Sequence, residues 1–351
     1  MLRSDGPGGA RRCHPIPVAN APHSSRLPPE RPPDPGRTER ADMSPTTSLR
    51  LSVCVALSAG LLAPVANATV GNLYVTQEAG PGHVLEFHGV TGAPVALFGP
   101  ALPGNIMAIH TGGAVGDVLV GAAFGGVQRL DRNTGAVVQT YNAGGGWQWA
   151  GIWRPGTGTV LIGDHATNDI REYDPDTGAF LGVFATGVNS PADMMFGPSG
   201  NLFVCSYAPG AGVYEIDGAS GSVLNQWGLG LGFTNDIAFM PDGRRIVTAM
   251  GDNMAHVFDS SWNPITSFAG TGWGRIHGIT VGPHDGLIYA IDGLTTNVHS
   301  FDPVTYAEIN SNFSSTNTKP VDLEFRPAIP APGATALLSL TALAALRRRR
   351  R

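Results

Sequence analysis

From residue 69 to residue 329 the chain alternates short apolar runs with clusters of turn-forming residues. One stretch holds four such runs, Ala192–Phe196, Asn201–Cys205, Gly212–Ile216 and Ser222–Trp227, each alternating and rich in β-branched or aromatic side chains. That pattern predicts four strands. The segments between them are Gly197-Pro-Ser-Gly200, Ala208-Pro-Gly-Ala211 and Asp217-Gly-Ala-Ser-Gly221. Pro and Gly set or permit the backbone angles of tight hairpins, and Asp bonds its own backbone two residues on.

The four-strand unit recurs. An apolar residue followed by an Asp turn returns at Phe87, Leu130, Tyr173, Ile216, Phe258 and Phe301, in steps of 43, 43, 43, 42 and 43 residues. A fixed period of this size marks a repeat architecture. Six units of four antiparallel strands predict an all-β fold, a six-bladed β-propeller. A linear solenoid is the alternative, and it needs polar capping units that the sequence does not show. The two ends also fit a ring: the first unit opens at Asn72-Leu-Tyr-Val75, which matches a second strand, and the last closes with Pro320-Val-Asp-Leu-Glu-Phe325, which matches a first strand. The C-terminal strand is therefore expected to complete the first blade. Each fourth strand ends in an aromatic residue, Phe98, Tyr141, Phe184, Trp227, Phe268 or Phe313, expected to pack at blade edges or between blades.

Gly71-Asn-Leu-Tyr-Val75, Gly200-Asn-Leu-Phe-Val204 and Asn235-Asp-Ile-Ala-Phe-Met-Pro-Asp-Gly243 resemble NHL-type repeats and the wider six-bladed group of gluconolactonase-like, paraoxonase-like and virginiamycin B lyase-like proteins. The resemblance covers about residues 70 to 327 and implies the fold more firmly than any activity.

Both ends of the chain depart from the repeat. Residues 1–42 cluster Pro and Arg, as in Leu27-Pro-Pro-Glu-Arg-Pro-Pro-Asp-Pro-Gly36, and are expected to be disordered. Met43 reads as a second start, which would leave 1–42 outside the translated product. Residues 43–68 read as a signal peptide: a polar stretch to Arg50, an apolar run Leu51–Val65, and Ala66-Asn-Ala68 as the cleavage site for signal peptidase. A membrane anchor is the competing reading, but the run is short of the roughly 20 residues of a span, and Pro64 interrupts it. Residues 330–351 combine Pro330-Ala331-Pro332-Gly333, an apolar run Ala334–Leu346 and five arginines beginning at Arg347 and Arg348. This order resembles the PEP-CTERM sorting signal of bacterial surface proteins, with Ala331 where that motif has Glu. The resemblance implies transient membrane association through the tail, removal by an exosortase-like enzyme, and an exported protein at the cell surface or secreted.

Net charge changes the picture only when it is divided along the chain. The whole carries −5, but residues 69–330 hold 9 basic against 22 acidic side chains. A domain at −13 is a poor partner for nucleic acid or anionic lipid and attracts cations. Glycine, 48 of 351 residues, belongs to the turns. Three scattered cysteines exclude a disulfide scaffold, and Cys205 alone lies beyond the signal, in a strand, where a buried structural thiol is the expectation.

Candidate chemistry gathers where each first strand begins. Aligned on the units, Met107, Ala150, Asp193, Asp236, Gly278 and Asp322 fall at equivalent positions at the channel mouth, with Asn235 and His277 one place before. Converging carboxylates repel unless a cation joins them, so Asp193, Asp236, His277 and Asp322 are candidate ligands for Ca²⁺ or Mg²⁺. Water-screened acids, or Asp residues bonding neighbouring strand starts, are the alternative. The same loops carry Trp147, Trp149, Phe233 and Trp273, a set suited to holding a sugar or another flat ligand, with rim packing as the alternative. Asp174-Pro-Asp-Thr-Gly178 resembles half a calcium loop but reads as a hairpin turn, and Asp164-His165 with Asp169 reads as solvated loop polarity. No Gly-x-Ser-x-Gly elbow, phosphate-binding loop or HExxH helix is present. The expectation is a non-enzymatic surface or secreted propeller that binds a small ligand, protein or polysaccharide. The alternative is a metal-dependent hydrolase or lyase like the gluconolactonase and virginiamycin B lyase groups.

Overall fold

The computed structural model describes residues 71–326 apart from 79–80, 114–115 and 142–146. The expected disordered leader 1–42, signal peptide 43–68 and sorting segment 330–351 lie outside the described residues.

Twenty-four strands form six four-stranded antiparallel sheets. The first blade contains β1 (Leu73–Gln77), β2 (Gly82–Phe87) and β3 (Pro94–Leu102); the second, β4 (Asn105–Gly112), β5 (Asp117–Ala123), β6 (Gly126–Leu130) and β7 (Val137–Tyr141). The third holds β8 (Gln148–Trp153), β9 (Val160–Asp164), β10 (Asp169–Tyr173) and β11 (Phe180–Thr186), and the fourth β12 (Pro191–Phe196), β13 (Leu202–Ser206), β14 (Val213–Ile216) and β15 (Val223–Trp227). The fifth is β16 (Thr234–Phe239), β17 (Arg245–Ala249), β18 (Met254–Phe258) and β19 (Pro264–Phe268); the sixth is β20 (Ile276–Val281), β21 (Ile288–Asp292), β22 (Asn297–Phe301) and β23 (Glu308–Ser315). The last strand, β24 (Pro320–Phe325), returns to pair with β1, with Leu73 opposite Phe325 and Tyr74 opposite Glu324. The ring is closed by the C-terminal strand, and each innermost strand packs on the innermost strand of the next blade. A solenoid is thereby excluded.

The residues that set the 43-residue step, Phe87, Leu130, Tyr173, Ile216, Phe258 and Phe301, each end the third strand of a blade and are buried. The turn after them explains the repeated phrase. In the fourth blade Asp217 Oδ1 accepts hydrogen bonds from Ala219 N at 3.2 Å and Ser220 N at 2.6 Å. Gly221 then takes φ +76°, and a Cβ there would stand 1.8 Å from the Phe184 carbonyl of the neighbouring blade. Glycine is required twice over, by conformation and by space. Second strands are buried along their whole length, as in β9, β13 and β21, because both faces meet a neighbouring blade. Fourth strands face solvent at the rim, as in β19, whose first four residues are exposed. The terminal aromatics fill the gaps: Phe98 lies 4.7 Å from Tyr74, Trp227 stacks on Trp262 at 5.6 Å, and Phe313 meets Tyr289 at 4.8 Å.

Candidate functional site: the axial carboxylates and an aromatic face

Every innermost strand slips register near its start: between Ile106 and Ala108 in β4, Gln148 and Gly151 in β8, Pro191 and Met194 in β12, Thr234 and Ile237 in β16, and Ile276 and Ile279 in β20. Opposite β24 the slip lies between Val75 and Gln77. A bulge of this kind interrupts the ladder and re-aims the side chains at the kink. Six bulges at one level therefore turn Met107, Ala150, Asp193, Asp236, Gly278 and Asp322 to a common place. All but Ala150 line an axial cavity of about 10 Å³, room for about one water-sized particle.

The three carboxylates are buried there, and their ligand atoms lie within 4.8 Å of one another. Each also serves the backbone that the bulges leave unpaired. Asp236 Oδ1 accepts from Ile237 N and Oδ2 from Ile279 N of the next blade, both at 2.6 Å. Asp322 does the same with Leu323 N and, across the ring closure, Ile109 N, both at 2.7 Å. Asp193 Oδ1 accepts from Met194 N at 2.7 Å and meets His110 Nε2 at 2.6 Å. His110 is buried. Burial lowers its affinity for a proton, but Asp193, Glu324 and Asp322 outweigh burial and raise the pKa to about 10. Burial, then the Asp193 and Asp322 charges, push Asp236 well above the usual carboxylate range; burial and Asp193 do the same to Asp322 against His110. Glu324, held by Thr111 N at 2.6 Å and Thr111 Oγ1 at 2.9 Å, is raised by burial to about 7.

The sequence grouped His277 with these acids, but it stands apart. Its ring lies beside Gly293, neither nitrogen has a hydrogen-bond partner among the described residues, and burial followed by the Arg275 charge lowers its pKa to about 3. It borders the axial cavity without a ligand atom in the cluster. Two other residues stand near the axis. Glu324 falls two places after Asp322 on β24, so period 2 was a signal for it, whereas His110 falls three places after Met107, across the bulge in β4, and was not signalled.

The aromatic candidates separate in the same way. Trp147 and Trp149 lie 16° from parallel with centroids 6.1 Å apart, and Trp149 stacks on His165 at 4.9 Å. Tyr207 meets Trp149 at 4.6 Å and Phe233 at 5.2 Å, while Phe124 stands edge-on to Trp147 at 5.2 Å. The result is one run, Phe124–Trp147–Trp149–Tyr207–Phe233, drawn from β8 and from loops of four blades at the end of the ring where β8, β12 and β16 begin. Phe124 is 71% and Trp147 40% exposed. Trp273 is not part of it. Gly270 has no side chain to block the indole, which packs between the fifth and sixth blades against Phe268, Phe301 and His299. Phe124, His165 and Tyr207 come from loops between second and third strands, which share no common motif and gave no repeat signal.

Two sequence readings of lesser sites have clear outcomes. Asp174 is a turn residue, accepting from Asp176 N at 3.1 Å and Thr177 N at 2.8 Å, which lowers its pKa. Asp164 is not solvated loop polarity: it is buried, accepts from Ala166 N at 3.0 Å, and pairs with Arg171 at 3.2 Å. Cys205 is buried, and burial followed by Asp236 and Asp193 pushes its thiol far from the reactive range. At the far end of β8, His110 and Glu324 border a separate cleft of about 720 Å³ with Trp153 and Arg154.

No family model and no curated protein matches the chain. Solved structures do. A chain of a nidogen/laminin complex superposes with TM-score 0.60 at 16% identity, covering 73% of this chain and 98% of that one. A protein of unknown function from Bacteroides caccae superposes with TM-score 0.55 at 16% identity and the same coverage. At that identity the likeness establishes the β-propeller fold and nothing finer.

Proposed function

We propose that this protein is a non-enzymatic binding module, exported to the cell surface or secreted, that takes its ligand on the aromatic face over the channel. The observation that carries the reading is the exposed run led by Phe124 and Trp147. Apolar rings held in solvent at the mouth of a closed ring mark a recognition surface. The same architecture carries a chain of a nidogen/laminin complex, so the fold is compatible with partner binding. Export rests on the sequence features of residues 43–68 and 330–351. The test is binding of the full chain to purified cell-envelope polysaccharide and protein fractions. Trp147→Ala should weaken capture at least tenfold, whereas Val223→Ala on the rim should not; equal capture by both variants would sink the proposal.

A second reading, a metal-dependent hydrolase or lyase, has one observation in its favour: the convergence of Asp193, Asp236 and Asp322. The donor set is hard oxygen, as Ca²⁺ or Mg²⁺ requires, and Asn235 borders the same cavity. Against it, both oxygens of Asp236 and of Asp322 already hold backbone N–H groups. Calorimetric titration with each cation decides: heat and a raised melting temperature support the second reading, and their absence removes it.

A further inference from the structure

We infer that the ligand of the aromatic face is a neutral saccharide, with a pyranose ring lying on the Trp147 indole. This rests on the binding reading above and narrows it to one ligand class.

Conformation gives the first reason. Phe124 has φ +66° and Phe233 φ +55°, the left-handed region that a bulky side chain adopts only under strain. Phe124 gains little from the fold in return, being the most exposed ring of the run. A strained aromatic held outward beside a half-exposed indole forms a platform with an edge.

Charge gives the second. His165 backs Trp147 and Trp149, and burial lowers its pKa in spite of Asp164, so it stays neutral at neutral pH. Asp164 beneath it is paired with Arg171. Asp193 borders the axial cavity together with Trp149. An anionic ligand meets no cation on this platform and approaches a domain of −13.

Hydrogen bonding gives the third. Trp149 is 7% exposed, and its Nε1 is buried without a partner among the described residues. An indole N–H only donates, so the partner it lacks is an acceptor oxygen. A quaternary ammonium has no acceptor to offer, although aromatic rings alone would suit it. A sugar brings both an apolar C–H face for the indole and hydroxyl oxygens for the donor.

The test is tryptophan fluorescence of the full chain titrated with three probes: neutral oligosaccharides of glucose, mannose and N-acetylglucosamine; oligogalacturonate; and tetramethylammonium. A saturable, salt-insensitive response to a neutral oligosaccharide, weakened at least tenfold by both Trp147→Ala and Phe124→Ala with unchanged melting, supports the inference. A response to oligogalacturonate or tetramethylammonium alone overturns it and leaves the binding face standing. Silence to all three probes, alongside Trp147-dependent capture of envelope material, overturns the saccharide and not the face. Neutral-sugar binding equal in wild type and Trp147→Ala overturns it as well.

Discussion

The axis of the ring and the aromatic face adjoin at Trp149, yet they use their chemistry in opposite ways. On the axis, polar groups are committed to one another: each of the three carboxylates bonds a backbone N–H released by a bulge, and His110 bonds Asp193. On the face the contacts are ring against ring, Phe124 and Trp147 remain open to solvent, and the Trp149 N–H has no partner. Burial and charge alone would have pointed to the axis as the site. The carboxylates that burial and charge pick out are already employed by the fold, whereas Phe124 and Trp147 on the face are open to a ligand.

The largest expected effect separates the two regions directly. Asp236→Ala leaves Ile237 N and Ile279 N buried without an acceptor, a loss of about 2–4 kcal/mol, or roughly 5–15 °C in melting temperature. Sugar or envelope binding, measured well below the new transition, should persist. Loss of binding at full stability would reverse the assignment and make the axis the site.

Trp273→Ala comes next, at about 2–3 kcal/mol, since the indole packs against Phe268 of the fifth blade and Phe301 of the sixth. Thermal melting checks it. Trp273 and Trp147 occupy equivalent loops, so a cost for Trp273 no larger than that for Trp147 would remove the distinction between packing and presentation.

The pH dependence tests the axis alone. His110 is raised to about 10 and Glu324 to about 7, and Asp236 and Asp322 also move upward. In each case the folded state binds more protons than the unfolded chain in the interval between the two pKa values, so stability falls as pH rises through it. Glu324 contributes this loss between its unfolded value, near 4.5, and about 7; His110 contributes between 6.5 and about 10. His277, lowered to about 3, opposes this below its unfolded value of 6.5, so melting temperature should decline from about pH 7 to pH 9, where His110 acts without that opposition. A rise across that window would contradict a proton-holding axis, and a rise produced only by added Ca²⁺ would favour the metal reading.

How much of this the sequence carried depends on phase. The blades were legible because six copies of one phrase end six third strands, and because Pro320–Phe325 lacks a successor. The convergence of Asp193, Asp236 and Asp322 was legible for the same reason, being one position of one repeat. What it did not carry is the direction of a side chain after an irregular turn. His277 lies one place before the position of the clustered acids, and Trp273 five places before it where Trp147 and Phe233 lie three before; both turn elsewhere, one beside Gly293 and the other over Gly270. Phe124, His165 and Tyr207 share no phase and meet only through packing.

The smallest expected effect on stability belongs to Trp147→Ala. The indole is 40% exposed, its neighbours Trp149 and His165 remain stacked without it, and no hydrogen bond depends on its side chain among the described residues. A change within about 1 kcal/mol follows, or roughly 2–4 °C. Differential scanning calorimetry resolves that margin. A near-silent deletion of a tryptophan is the sign of a residue retained for something outside the fold, so the comparison is sharpest where the melting curve moves least. A loss above about 3 kcal/mol would place Trp147 with Trp273, as packing, and would take the aromatic platform away.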